Sequence, residues 1–143
     1  MKAIVAIGGG EMGRPGTDVQ TTAIDTEVLR LTGTKRPRVL FIPTASSDSP
    51  EYCDVFKKHY EERLGADVDV LSLVRDVLTQ AEIRTKILSA DAVYVGGGNT
   101  AKMIRIWKKY GVDAALVTGA AHSMVDDIRR ALPGSAASTA QQQ

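Results

Sequence analysis

The chain has 143 residues, a formal net charge of +1, 43% hydrophobic residues and 24% charged residues. One domain is the natural expectation at this length, and the near-neutral balance excludes the global positive field of a nucleic-acid or anionic-membrane binder. The apolar runs are strand-sized, far below the ~20 residues of a membrane helix, and the single cysteine, Cys53, allows no intrachain disulfide, which agrees with a cytoplasmic setting.

From the N-terminus, apolar strand-sized runs alternate with segments of helical period. Residues 3–7 are apolar and predict a first strand, which Gly8, Gly9 and Gly10 end too early for a secretory apolar core. Residues 22–31 place Ile24, Val28 and Leu31 on one face of a helix closed by Gly33. Residues 38–43 predict the second strand. Residues 49–64 follow as a helix, with Pro50 near its first turn and Gly65 just past its end. Residues 68–73 predict the third strand, and 79–88 a helix with Ile83, Ile87 and Leu88 apolar. Residues 92–95 predict the fourth strand, and 100–110 a helix stopped by Gly111.

This alternation predicts an α/β fold, with a parallel sheet, right-handed crossovers and helices on both faces. The runs at 3–7, 38–43 and 92–95 are nearly all apolar, as strands buried on both faces are. Residues 112–132 predict one more helix, with Val117, Met124, Val125 and Ile128 turned inward. A single domain is expected over 1–132. Residues 133–143 lack aromatics, large aliphatics and periodicity, and composition predicts a poorly ordered tail.

In such a sheet the loops at the carboxyl ends of the strands converge on one edge. The first, from Gly8 to Gly13, offers the N–H groups of Gly9 and Gly10 and the carboxylate of Glu11. The second, from Pro43 to Ser49, offers the hydroxyls of Thr44, Ser46, Ser47 and Ser49, plus Asp48. The third, Gly96-Gly97-Gly98-Asn99-Thr100, offers free N–H groups and an amide just before a helix. Bare N–H groups at a helix N-terminus favour anionic groups, so together the loops suit a small polar or anionic ligand. Glycines at strand ends also serve tight turns, and Asp48 or Ser49 also fits a helix N-cap. The Gly8-x-Gly10-x-x-Gly13 spacing matches a dinucleotide fingerprint in form only, because Arg14-Pro15-Gly16 stands where that fingerprint needs a helix. No cofactor and no metal is expected.

Four stretches occur in order: Ile7-Gly8-Gly9-Gly10-Glu11, Phe41-Ile42-Pro43-Thr44-Ala45-Ser46-Ser47-Asp48-Ser49, Tyr94-Val95-Gly96-Gly97-Gly98-Asn99-Thr100 and Met103-Ile104-Arg105-Ile106-Trp107-Lys108. Their combination resembles peptidase family S51, the family of dipeptidase E (α-aspartyl dipeptidase) and cyanophycinase, over about residues 1–115. The resemblance implies a flavodoxin-like three-layer sandwich with a mostly parallel sheet, similar to class I glutamine amidotransferases. It implies hydrolysis of short or Asp-containing peptides through an acyl-enzyme on a serine, helped by a histidine and an acidic residue. It further implies an oxyanion-hole N–H from Gly97 or Gly98, with Asn99 beside the substrate.

The family's Gly-x-Ser-Ala-Gly elbow would fall near Arg130, where no serine stands and no apolar strand precedes. Ser135, Ser123 and His122 are the remaining catalytic candidates. On a helix His122 would meet Asp126 and Ser123 would meet Asp127, which makes two pairs and no triad. His59 and Cys53 read as packing residues. The chain is therefore expected to resemble the N-terminal part of such a peptidase, truncated before the nucleophile and inactive alone. The alternative is a non-catalytic α/β module that binds a small polar ligand or self-associates. The expected partners are a short peptide or small polar ligand and further copies of the chain, with no nucleic acid and no membrane.

Overall fold

The computed structural model describes residues 3–119. Three strands, β1 (Arg38–Ile42), β2 (Asp67–Val70) and β3 (Ala92–Val95), form one sheet in the order β2-β1-β3. Both pairings are parallel: Val39 lies opposite Val68 on one side and Ala92 on the other. The helices are α1 (Thr22–Leu31), α2 (Pro50–Lys57), α3 (Gln80–Leu88) and α4 (Thr100–Tyr110). Residues 112–119 add a helix, α5, within the described range.

The apolar run of β1 makes it the middle strand, and Val39, Leu40, Phe41 and Ile42 are fully buried. Each such burial contributes about 1.5–3 kcal/mol, more than any single cap or turn. Side chains alternate across a strand, so β1 feeds two cores. Leu40 and Ile42 pack with Leu71, Ile83, Ile87 and Val112. Val39 and Phe41 pack with Met12, Phe56, Tyr60 and Ala66 on the opposite face. There Phe41, Phe56 and Tyr60 stack in sequence, with ring centroids 4.1 Å and 4.3 Å apart. The start of β3 is tied to β1 by Arg38 N–H to Asp91 Oδ2 (2.7 Å) and Asp91 N–H to the Arg38 carbonyl (2.8 Å).

Local signals set most helix ends. Ser49 caps α2, accepting the Tyr52 N–H, with Pro50 at the first helical position. Thr79 and Glu82 form a reciprocal capping box at α3. Asn99 caps α4, and Gly111 ends it at φ 70°. The helix begun at Pro50 changes character after Lys57 and runs on as a π-helical turn, Lys58–Arg63.

Four expectations need correction. Residues 3–7 form no strand; Ile4 is 99% exposed. Five apolar residues become a strand only by pairing, and the outer edge of β3 carries no strand among the described residues. For the same reason β3 is half-buried rather than covered on both faces. In α1 the fully buried residue is Asp25, while Ile24 is exposed. Asp25 accepts from the Tyr60 hydroxyl (2.7 Å) and lies 2.8 Å from His59 Nε2, so a polar cluster sets the rotation of this helix. In α5 Val112 and Ala115 are buried and Val117 is exposed. Met124, Val125, Ile128 and the tail at 133–143 lie outside the described residues.

Candidate active site

Parallel pairing brings the ends of β1 and β3 to one edge of the sheet. The β1 loop passes through a 3-10 turn, Thr44–Ser46, to Ser47 and Asp48, whose φ values are 58° and 56°. Left-handed backbone at a non-glycine residue is uncommon and costs about 1–3 kcal/mol each, so other contacts must hold the turn. Asp48 is almost fully buried, and its Oδ2 accepts from Ser72 Oγ (3.0 Å), Val74 N–H (2.6 Å) and Arg75 N–H (3.1 Å). Thr44 Oγ1 accepts from Trp107 Nε1 (3.1 Å). These bonds anchor the turn to the loop after β2 and to α4.

The glycine loop after β3 is clamped onto the same turn. Asn99 N–H donates to the Ala45 carbonyl (2.8 Å), and a Cβ at Gly98 would stand 2.3 Å from that carbonyl oxygen. Gly98 is therefore required by close approach, reinforced by its φ of 143°. Gly97 is different: nothing lies within 4 Å of where its Cβ would be. It faces a broad groove of ≈ 2220 Å³, lined also by Gly9, Gly10, Glu11, Tyr52 and Tyr94. Burial pushes the Tyr52 phenol above its ordinary range, opposed by the nearby Gly97 N–H and Tyr94 hydroxyl.

The candidate residues thus divide by task. Gly97, Gly9, Gly10 and Glu11 all line one long groove that runs from Asp91 to Gly97, but Met12 and Gly13 lie beside Arg63, so the 8–13 loop is not brought onto the Gly97 loop as expected. Glu11 is already committed as a loop clamp: Oε1 accepts the N–H groups of Gly13 (3.1 Å) and Arg14 (2.9 Å), and Oε2 pairs with the Arg14 guanidinium (2.6 Å). The guanidinium, followed by the Arg14 N–H, holds its carboxyl down to about 2. Thr44 is fully buried against Trp107, and Ser46 Oγ donates to the Pro43 carbonyl (2.9 Å), so both support the turn. Asn99 spends its side-chain oxygen on the Lys102 N–H (3.0 Å). His59 is fully buried on Asp25, and Cys53 is half-buried at the edge of the Phe41–Phe56–Tyr60 core. His122, Ser123 and Ser135 lie outside the described residues. Among the described residues no group of His, Cys, Asp and Glu is arranged to hold a metal ion, and no helix is long and apolar enough to cross a membrane.

The sequence reading missed two features of this edge. Ser47 Oγ accepts from Lys102 Nζ at 2.5 Å, across the gap between the two loops. Tyr52 reaches the glycine loop from α2, and its ring edge leaves no room for a Cβ at Gly96. Helical spacing places Lys102 in the first turn after Asn99, but no linear pattern pairs it with Ser47.

A parallel α/β sheet, with the β1 turn and the β3 glycine loop closed on each other at its carboxyl edge, defines a flavodoxin-like fold. The peptidase family S51 model matches residues 4–125, and the chain belongs to that family. It is 33% identical over 116 residues to the uncharacterized peptidase YgaJ of Bacillus subtilis strain 168, covering 81% of this chain and 48% of that protein. A crystal structure assigned as a candidate peptidase E from Listeria monocytogenes EGD-e is similar with a TM-score of 0.57 and 30% identity, covering 71% of this chain and 48% of that one. The chain thus spans about half the length of these relatives.

Proposed function

We propose that this chain supplies the substrate-binding and oxyanion-stabilising part of a serine-type peptidase of the dipeptidase E kind, acting on short or Asp-containing peptides in the cytoplasm. The observation that carries this is the Gly97 position: an open glycine on a loop locked by Gly98 and Asn99, facing the groove with its N–H beside the Tyr52 hydroxyl. A peptide carbonyl entering there would take the Gly97 N–H in place of the Tyr52 oxygen and find the phenolic O–H beside it. Preorganised donors of this kind stabilise the charge that develops on the carbonyl oxygen, and each is worth about 10²–10³ in rate.

The reading separates binding from turnover. A donor acts only after a nucleophile attacks. Among the described residues, His59, the one histidine, is buried on Asp25. The purified 143-residue chain is therefore expected to bind such peptides with no or trace hydrolysis. The check is dipeptide hydrolysis and fluorophosphonate labelling, each compared with Ser123→Ala and Ser135→Ala. Robust turnover lost in either variant would place the nucleophile there and overturn the expectation of inactivity. A second reading, a non-catalytic module for a small polar ligand, is favoured by the same burial of His59 and predicts no covalent adduct under any condition.

A further inference from the structure

We propose that Ser47 and Lys102 form a carboxylate-binding subsite beside the Gly96–Asn99 loop, selecting ligands that carry a free carboxylate. The inference rests on the peptide-binding reading of the site and adds to it the residues that read substrate charge.

Three observations converge on this pair. First, Ser47 sits in left-handed backbone, and so does Asp48. Strain of this kind persists only where the surroundings over-determine it, and it concentrates at functional sites. Here the buried Asp48 carboxylate binds the loop after β2, and Ala45 is held by Asn99 from the other side. The result is a serine hydroxyl presented at an exposed position on a rigid turn.

Second, Lys102 Nζ lies 2.5 Å from that hydroxyl. Its own backbone N–H is fixed by the Asn99 cap, and the Asn99 N–H holds Ala45, two residues before Ser47, so the pair adjoins the loop that carries Gly97 without lining the groove that Gly97 faces. Third, the charge of Lys102 is uncompensated by any carboxylate among the described residues. Arg14, Arg30 and Lys86 pair with Glu11, Glu27 and Asp69, whereas the described partner of Lys102 is a neutral hydroxyl. The Asp48 carboxylate is turned away, toward residues 72–75.

A carboxylate fits this arrangement atom for atom. One oxygen takes the ammonium, and the other takes the serine hydroxyl, which turns from acceptor to donor. The carboxylate has two possible sources on a short peptide, an Asp side chain or the C-terminus.

The test is amide-resolved NMR titration of the full chain with acetate and with four peptides: Asp-Ala, Asp-Ala amide, Asn-Ala and Asn-Ala amide. Carboxylate-bearing ligands should shift Ser47 and Lys102. The peptides among them should bind about tenfold more tightly than Asn-Ala amide, the worth of one charge-assisted hydrogen bond. Asp-Ala amide against Asn-Ala identifies the source. Lys102→Met and Ser47→Gly should each erase the preference, and Lys102→Arg should keep it. Glycine accepts left-handed backbone freely, so Ser47→Gly removes the hydroxyl without disturbing the turn. Equal affinity for all four peptides, or a preference untouched by Lys102→Met, would overturn the subsite while a Gly97 shift still upheld the peptide reading. Acetate shifting Ser47 and Lys102 with no peptide shifting Gly97 would uphold the subsite and remove the peptide reading. No shift with any carboxylate would end the proposal.

Discussion

Two glycines one residue apart carry different obligations. Gly98 has no room for a Cβ against the Ala45 carbonyl and lies at φ 143°, while Gly97 has open space. Gly98→Ala should destabilise the protein by about 1–3 kcal/mol through backbone strain and loosen the loop from Asn99 to Ala45. Gly97→Ala should leave the urea midpoint nearly unchanged and weaken peptide binding by crowding the groove. Equal stability loss in both variants would refute this division. Asp25 offers a second contrast. It is fully buried and serves both His59 and Tyr60. Burial, followed by the Asp25 hydrogen bond, pushes the Tyr60 phenol well above its ordinary range. Asp25→Ala leaves two buried polar groups without their partner and should cost about 3–5 kcal/mol. Ile24→Ala, on the exposed face of the same helix, should stay within about 0.5 kcal/mol. Urea denaturation of both variants checks the pair, and a larger loss at Ile24 would restore the amphipathic reading of α1.

Among the elements, the Glu11–Arg14 loop has the largest carboxylate pH response. The Glu11 carboxyl is lowered from 4.5 to about 2 by the Arg14 guanidinium and by the N–H groups of Arg14 and Gly13. A depressed acid stabilises its ionised contacts above its unfolded value, so the clamp is complete above about 4.5 and is lost as pH falls through about 2. Carbon-13 NMR of the Glu11 carboxyl should therefore show a midpoint near 2. A midpoint near 4.5 would mean that the clamp does not persist in solution. Helix starts were the most legible elements, because Ser49-Pro50, Thr79 with Glu82, and Asn99 satisfy orphan N–H groups within a few residues of chain. The segment at 3–7 was misread as a strand because strand formation depends on a neighbour that composition does not reveal.

At the scale of the molecule, one edge of the sheet is open among the described residues. β3 is paired on its β1 side alone among the described residues, and Val93 and Val95 are 37% and 42% exposed. An open strand edge with apolar side chains templates pairing with another chain. Self-association is therefore expected, with sedimentation coefficients rising across a concentration series. Val95→Lys should shift the population toward monomer, since a charge on an edge strand opposes such pairing. A compact monomer at every concentration, with no binding of a hydrophobic dye, would rule this out.

What could be read from the chain is what local chemistry dictates. The α/β alternation, the caps of α2, α3 and α4, the buried run of β1 and the glycine loop at the end of β3 all follow from residues close together in sequence. The family resemblance rests on the same stretches and is upheld by a match over residues 4–125. The rest depends on which distant residues meet. Asp25 and His59 are 34 positions apart, and Ser47 and Lys102 are 55 apart. No periodicity anticipates either pair. The inward face of α1 was decided by a polar cluster that outweighs its apolar stripe. The tasks within the site were decided by packing, which assigned Thr44, Ser46 and Asn99 to hold the turn and left Gly97, Ser47 and Lys102 facing outward. Sequence specifies the loops because turns and caps are local. It does not specify their division of labour, because that arises where two loops, separated in sequence by α2, β2, α3 and β3, close on each other.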